Sequence, residues 1–247
     1  MKCWIFTKRC LKEVLRDPLT LIFGIGFPVV LLVLLSLMNR NIPSEANLTL
    51  FRVENLLPGV VVFGFSFLAL FGGLLLATDR DTAFLSRLFT TPMRASDFLI
   101  GYALPLAPIG IAQALLCLVV GICFGLTPTW HFFTMLLFLL PAMLLFVAIG
   151  LLFGSLMNAK QVGSLCGALL TNVSAWLSGT WFSLELLGSG FQRFAHVLPF
   201  ANAVDAARAA LAGNVGDALL PTAIVLAWCI PTALLAVLVF YRKMKAK

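Results

Sequence analysis

Three consecutive charges, Asp79-Arg80-Asp81, open a polar island that runs through Arg94 and Asp97 between two long apolar stretches. An acid, a base and an acid in a row, followed by Phe84, Leu85, Arg87, Leu88, Phe89, Thr91 and Pro92, make a mixed-sign, partly apolar surface suited to transient docking on another protein. The island is too long for a tight turn and too patterned for a slack loop. Covalent chemistry is not suggested, because no apolar stretch carries a His, an Asp or a Cys-His arrangement to activate a nucleophile or bind a metal. None of the cysteines has metal-ligand spacing, and Cys117, Cys123, Cys166 and Cys229 fall within apolar stretches, where Cys behaves as a small hydrophobe. No Gly-x-x-x-x-Gly-Lys-Ser/Thr run occurs, so the chain offers no phosphate-cradling loop for ATP.

The elements that must carry the island are membrane helices. A chain of 247 residues that is 61% hydrophobic and 11% charged cannot stay soluble as a globular domain. A span needs about 20 apolar residues, and the stretches near 19 to 38, 57 to 78, 99 to 126, 133 to 157, 161 to 182 and 219 to 241 qualify. The expected fold is therefore an all-α integral membrane domain over residues 1–247 with six transmembrane helices. The third stretch is long enough to tilt or break near Pro105 and Pro108. No Asp, Glu, Lys, Arg or His falls within any of the six stretches, which disfavours a proton relay or an ion-coupled pump.

With an even number of spans both termini share a side, and that side collects thirteen Lys and Arg against four (Arg40, Arg52, Arg193 and Arg208) on the other. The positive-inside rule then places both termini and the island in the cytoplasm, in the plasma membrane of the cell. The net charge of +7 is mostly this topology signal, and no nucleic-acid partner is needed to explain it. Residues 1–18 read as an amphipathic helix in the interface, with Trp4, Leu11, Leu15, Cys3, Cys10 and Val14 on one face and Lys8, Arg9, Lys12 and Arg16 reaching for anionic headgroups. A plain positive anchor would use the same residues.

Polar groups within the spans are few. Ser66, Gln113, Asn172 and Ser174, with the aromatic Phe67 and Trp176, are the candidates for a substrate path. Buried amides need partners, so Gln113 and Asn172 are expected to bond across helices. Gly72, Gly73, Gly163 and Gly167 could let helices approach closely. Residues 183–218 read as an exterior re-entrant hairpin whose apolar arms flank Gly188-Ser189-Gly190, followed by a helix over 204–211 that ends at Gly213-Asn214. Glu185, Arg193, Asp205 and Arg208 would lie near the outer interface, where Asp205 and Arg208, three apart, can pair.

The run Leu177-Ser178-Gly179-Thr180-Trp181-Phe182, then Leu184-Glu185-Leu186-Leu187, Pro199-Phe200 and Val204-Asp205-Ala206-Ala207-Arg208, resembles the carboxy-terminal signature of ATP-binding-cassette type 2 permeases. Asp79-Arg80-Asp81 with Arg87-Leu88-Phe89-Thr90-Thr91-Pro92, and Leu15-Arg16-Asp17-Pro18 with Pro28, are similar to that family's other motifs. Ala83, Phe84 and Ser86, and Ser183 and Gly188, depart from its usual residues. The resemblance implies that residues 79–98 hold the coupling helix that seats in a cytoplasmic ATPase, present in two copies. It also implies a second permease subunit, identical or not, and ATP with Mg bound only by the ATPase. The amino-terminal pattern resembles the drug and antibiotic exporter branch, which implies export of a hydrophobic or amphipathic substrate. A permease for lipid-linked glycoconjugates and an ion-coupled carrier or channel are the alternatives.

Overall fold

A computed structural model describes residues 2–41, 51–82, 84 and 94–245. Among these the secondary structure is helical throughout, with no strand. The helices are α1 (Lys2–Arg16), α2 (Pro18–Asn41, with a π-helical turn at Ile22–Gly26), α3 (Val53–Asp81), α4 (Ala95–Ala103), α5 (Leu106–Cys123) and α6 (His131–Leu156). They are followed by α7 (159–177, with a π-helical turn at Leu165–Leu170), a 3-10 turn at Leu184–Leu187, α8 (Ser189–Val197), α9 (Pro199–Leu211) and α10 (Val215–Lys245).

Helix α3 is the axle. Its apolar residues surround it on every side, and 83% of its most apolar window is buried, as expected for a helix that packs all round. Helix α6 lies along it so closely that the two backbones touch: a side chain added at Gly150 or Gly154 would run into the main chain of Ala69 or Gly73. Helices α2 and α10 are outermost, with 22% of each window buried, so they turn apolar side chains such as Leu34, Leu37, Leu234 and Leu238 outward. Those faces suit lipid.

Among the described residues, five helical segments are long and apolar enough to cross a membrane: Pro18–Asn41, Val53–Asp81, Ala95–Cys123, His131–Leu156 and Val215–Lys243. The third includes the expected break, which falls at Leu104–Pro105 between α4 and α5, with Pro108 in the first turn of α5 where no intrahelical N–H is missed. The stretch expected as a fifth span, 161 to 182, is not among those segments; it forms α7, whose register shifts through the π turn. Helix α3 runs past its expected end, so Asp79, Arg80 and Asp81 form its last turn rather than the start of a separate helix.

The stretch expected as the hairpin holds a 3-10 turn at Leu184–Leu187 and α8. Gly188 turns the chain with φ +89°, a left-handed conformation that favours glycine. Beyond it α8 is short, and α9 packs against α3, α6 and α10, burying Phe200, Val204, Ala207 and Leu211. The expected second arm, 194–201, is divided: Phe194 and Val197 are exposed, whereas Ala195, Phe200 and Ala201 are buried. Helix α9 ends as expected, with Gly213 at φ +85°.

Candidate coupling site

Consecutive residues on a helix point about 100° apart, so three charges in the last turn of α3 must face three directions. Each meets a different element. Asp79 is 5% exposed and accepts from both arms of Arg9 of α1, Nη2 to Oδ1 at 2.9 Å and Nη1 to Oδ2, and from the Tyr102 hydroxyl of α4 at 2.8 Å. Arg80 turns to the carboxy-terminal end of α6, donating Nη2 to the Met157 carbonyl at 2.6 Å and Nη1 to that of Ser155. A guanidinium there satisfies orphan helix carbonyls and meets the negative end of the helix dipole. Asp81 accepts from the Ala159 backbone N–H at 3.5 Å, at the first turn of α7. That helix is itself capped by Asn158, whose side chain accepts from Gln161 N–H.

Helix α1 is held by more than one ion pair. Phe6, Cys10 and Val14, four residues apart, form its buried strip along α4. The Phe6 ring stands edge-on to Phe98 at 5.6 Å and to Tyr102 at 5.0 Å, in space left by Gly101. The expected face divides: Cys10 and Val14 pack inward with Phe6, whereas Trp4 and Leu15 are exposed. Helix α1 carries two apolar strips, and the one with a ring able to meet Phe98 and Tyr102 is the one that packs. Arg9 is likewise not free for headgroups: it binds Asp79 and Glu13, the latter at 2.8 Å, and its guanidinium lies 4.2 Å over the Phe84 ring.

Burial acts to lower the Arg9 pKa, but the bond and charge of Asp79 outweigh it and hold the guanidinium charged well above its usual range. Burial pushes the Cys10 thiol up to about 12, against the pull of Arg9. Cys10 is thus a packing residue rather than a reactive one. Phe84 is the one residue beyond Thr82 in the coupling segment that the structure describes before Arg94. Leu85, Arg87, Leu88, Phe89, Thr91 and Pro92 lie outside the described residues.

The candidate substrate-path residues do not form one site. Phe67 belongs to an aromatic cluster, 5.5 Å from Phe27 and 5.8 Å from Phe63, with Trp181 5.5 Å from Phe63. Ser66 and Ser174 are buried and donate to carbonyls of their own helices, Phe63 and Thr171. Gln113 does bond across helices, donating to the Val61 carbonyl at 3.1 Å in room that Gly64 leaves for it. Asn172 does not; it is exposed and donates to Ala168 of its own helix at 2.7 Å, because α7 presents that side chain away from the core. Trp176 is 59% exposed. Of the four glycines singled out for close approach, Gly73 abuts Gly150, Gly72 meets Leu106, Gly167 is in ordinary contact with Leu70, and Gly163 faces open space.

At the opposite end Arg208 ties three elements. Its Nε donates to the Asn55 carbonyl of α3 at 2.9 Å and its Nη2 to the Gly179 carbonyl at 3.1 Å. Asp205 is 3.9 Å from Arg208, and its nearer partner is His196 Nε2 at 3.0 Å. Burial raises the Asp205 pKa, opposed by Arg208 and His196, and lowers that of Arg208, opposed by Asp205. Glu185 and Gly188 lie in the preceding turn, and Gly190 and Arg193 on α8. Arg9, Tyr102, Ser155, Asn55 and His196 are the participants that sequence reasoning missed. Only Arg9 gave a signal, and as one of four clustered cations it read as a headgroup contact.

Residues 1–212 match the family model described as ABC-2 type transporter. Among curated proteins, none matches this chain.

Proposed function

The chain belongs to the ABC-2 type transporter family, and from that footing we propose that it is the membrane-embedded permease of an ATP-driven exporter of a hydrophobic or amphipathic substrate. A separate ATPase supplies the energy and docks on residues 79–98, on the cytoplasmic side with both termini. Two permease subunits, alike or different, share two ATPases, and ATP and Mg are bound by those partners alone.

The last turn of α3 carries this reading. Asp79, Arg80 and Asp81 bind α1, α4, α6 and the start of α7 at once, and Phe84 lies under Arg9. A push delivered to the segment after Asp81 would reach four elements together rather than one. The axle α3 and its companion α6 then move as a unit, because glycines bring their backbones into contact and Arg80 clamps the end. Helix α7 serves as the sixth crossing; its 19 residues reach about 28 Å at an α-helical rise. An apolar cargo suits spans without Asp, Glu, Lys, Arg or His in their centres and the aromatic cluster around Phe67.

The test is reconstitution with the ATPase that copurifies. Export should require ATP and survive collapse of the proton gradient. Arg87→Asp combined with Phe89→Asp should abolish export and ATPase capture while the permease still inserts. Gradient-driven transport by this chain alone, or normal capture by the double variant, would refute the reading.

A further inference from the structure

The pair His196 and Asp205 has a hydrogen-bond arithmetic that fixes its protonation. His196 Nδ1 lies 2.8 Å from the Gln192 carbonyl oxygen, which can only accept, so Nδ1 carries the ring hydrogen. Nε2 lies 3.0 Å from Asp205 Oδ2. A neutral ring protonated at Nδ1 presents a bare lone pair at Nε2, and a carboxylate oxygen presents another. Two acceptors do not rest at that distance, so one further proton must sit between them, on the ring or on the acid. We infer that His196 and Asp205 form a proton-binding site whose occupancy fastens α8 to α9.

The surroundings fit such a site. The pair lines a cavity of about 290 Å³ with Ser178, Gly179, Glu185, Gln192 and Arg208. Both side chains are more than a third exposed, so the proton exchanges with bulk water. The other ionisable groups facing the cavity are Glu185 from the 3-10 turn, which favours the proton, and Arg208 from α9, which opposes it. Helix α10 contributes an uncharged contact, Trp228 Nε1 donating to the Val197 carbonyl at 3.0 Å. The joint between the helices is held independently of pH, since Asn202 Nδ2 donates to the His196 and Leu198 carbonyls, each at 2.7 Å. Loss of the proton therefore opens the side-chain link at the last turn of α8, while Asn202 still holds the His196 and Leu198 carbonyls. Because α9 reaches α3 through Arg208, the site is coupled to the axle. The proton site stands on this geometry alone; that it senses pH outside the cell rests on the orientation proposed above.

The chain has two histidines, so nitrogen-labelled histidine spectra of the full chain in lipid nanodiscs are assignable with His131→Gln. In the wild type, the nitrogen spectra should show His196 Nε2 protonated while the link is closed and bare once the pH is raised far enough to open it. Hydrogen-exchange protection of residues 189–196, corrected for intrinsic rates, should fall about tenfold or more in step with that change, the scale of one charge-assisted bond. In Asp205→Asn the amide can donate to the bare Nε2, so protection should stay high and flat with pH. His196→Gln, whose amide can donate to Asp205, should also be flat and serves if the first variant does not fold. A wild-type protection that does not change with pH, or a variant that keeps the wild-type pH dependence, would overturn the proton site.

Discussion

The two ends of the molecule anchor their charges differently. At the amino-terminal end a buried carboxylate, Asp79, is met by side chains from two other helices, Arg9 and Tyr102. At the other end a partly buried cation, Arg208, is met mainly by backbone, the carbonyls of Asn55 and Gly179, and its nearest carboxylate is 3.9 Å away. Carbonyls in a helix turn or a tight bend have positions fixed by the main chain, so Arg208 sets a rigid frame. Side chains on separate helices can part as those helices move. On the proposed function, the first end transmits displacement and the second holds a reference position, with the His196 and Asp205 pair as its proposed adjustable edge.

The largest effect should come from breaking the transmitting end. Asp79→Ala leaves Arg9 and the Tyr102 hydroxyl without their shared acceptor, and removing one member of a buried pair costs about 3 to 5 kcal/mol. The lower part of that interval is expected, because the Arg9 side chain is 35% exposed and can find water. Thermal unfolding in detergent measures it, and transport in the surviving protein should be lost. A fully stable Asp79→Ala protein would mean that the node holds nothing.

Next comes the reference end. Arg208→Met keeps most of the side chain's volume but removes the donor that joins the Asn55 and Gly179 carbonyls to α9, for an expected cost of about 1 to 3 kcal/mol. The comparison sharpens in the second readout. Arg208→Met should leave ATPase capture unchanged, whereas Asp79→Ala should weaken it. Equal loss of capture in both would show that the ends are not separable.

A smaller effect probes the latch without breaking the fold. Cys10 is buried beside Arg9 with its thiol pushed up to about 12, so with Cys3 and Cys123 replaced by Ser it should resist maleimide at neutral pH. Asp79→Asn, which keeps the shape but loses the charge, should raise its labelling rate about tenfold by letting the strip open more often. Unchanged labelling would place the strength of the α1 contact in Phe6 and Val14 alone.

How much of this was legible follows from the range of each signal. Apolar length is a property of composition, so the stretches that became α2, α3, α5, α6 and α10 were visible at once. The break at Pro105 and the end of α9 at Gly213 were visible because proline and glycine act locally. Arg9 and Asp79 are 70 residues apart, and Arg208 and Asn55 are 153 apart. Nothing in a single sequence marks such partners, and an arginine that will bind a buried acid looks like one that will face lipid. The π turns in α2 and α7 were invisible for another reason: they carry no residue signature of their own. The run of charges at 79–81 was read as the end of a span, yet a helix ends where its backbone bonds stop, and these side chains all found partners that let it continue.

The smallest prediction separates two glycines that the sequence offered as equals. Gly188 has φ +89°, and an alanine there must hold a left-handed backbone, a strain of about 1 to 2 kcal/mol. Gly190 is in the first turn of α8, where an added Cβ meets nothing within 4 Å. Alanine at that position adds no clash and removes conformational freedom from the unfolded chain, so Gly190→Ala should be neutral or stabilising by up to about 1 kcal/mol. The pair of variants, compared by thermal unfolding, tests whether the turn before α8 owes its form to backbone geometry. Equal destabilisation by both would mean that the turn and the helix are held by crowding instead, and that the reference end is softer than the bonds of Arg208 suggest.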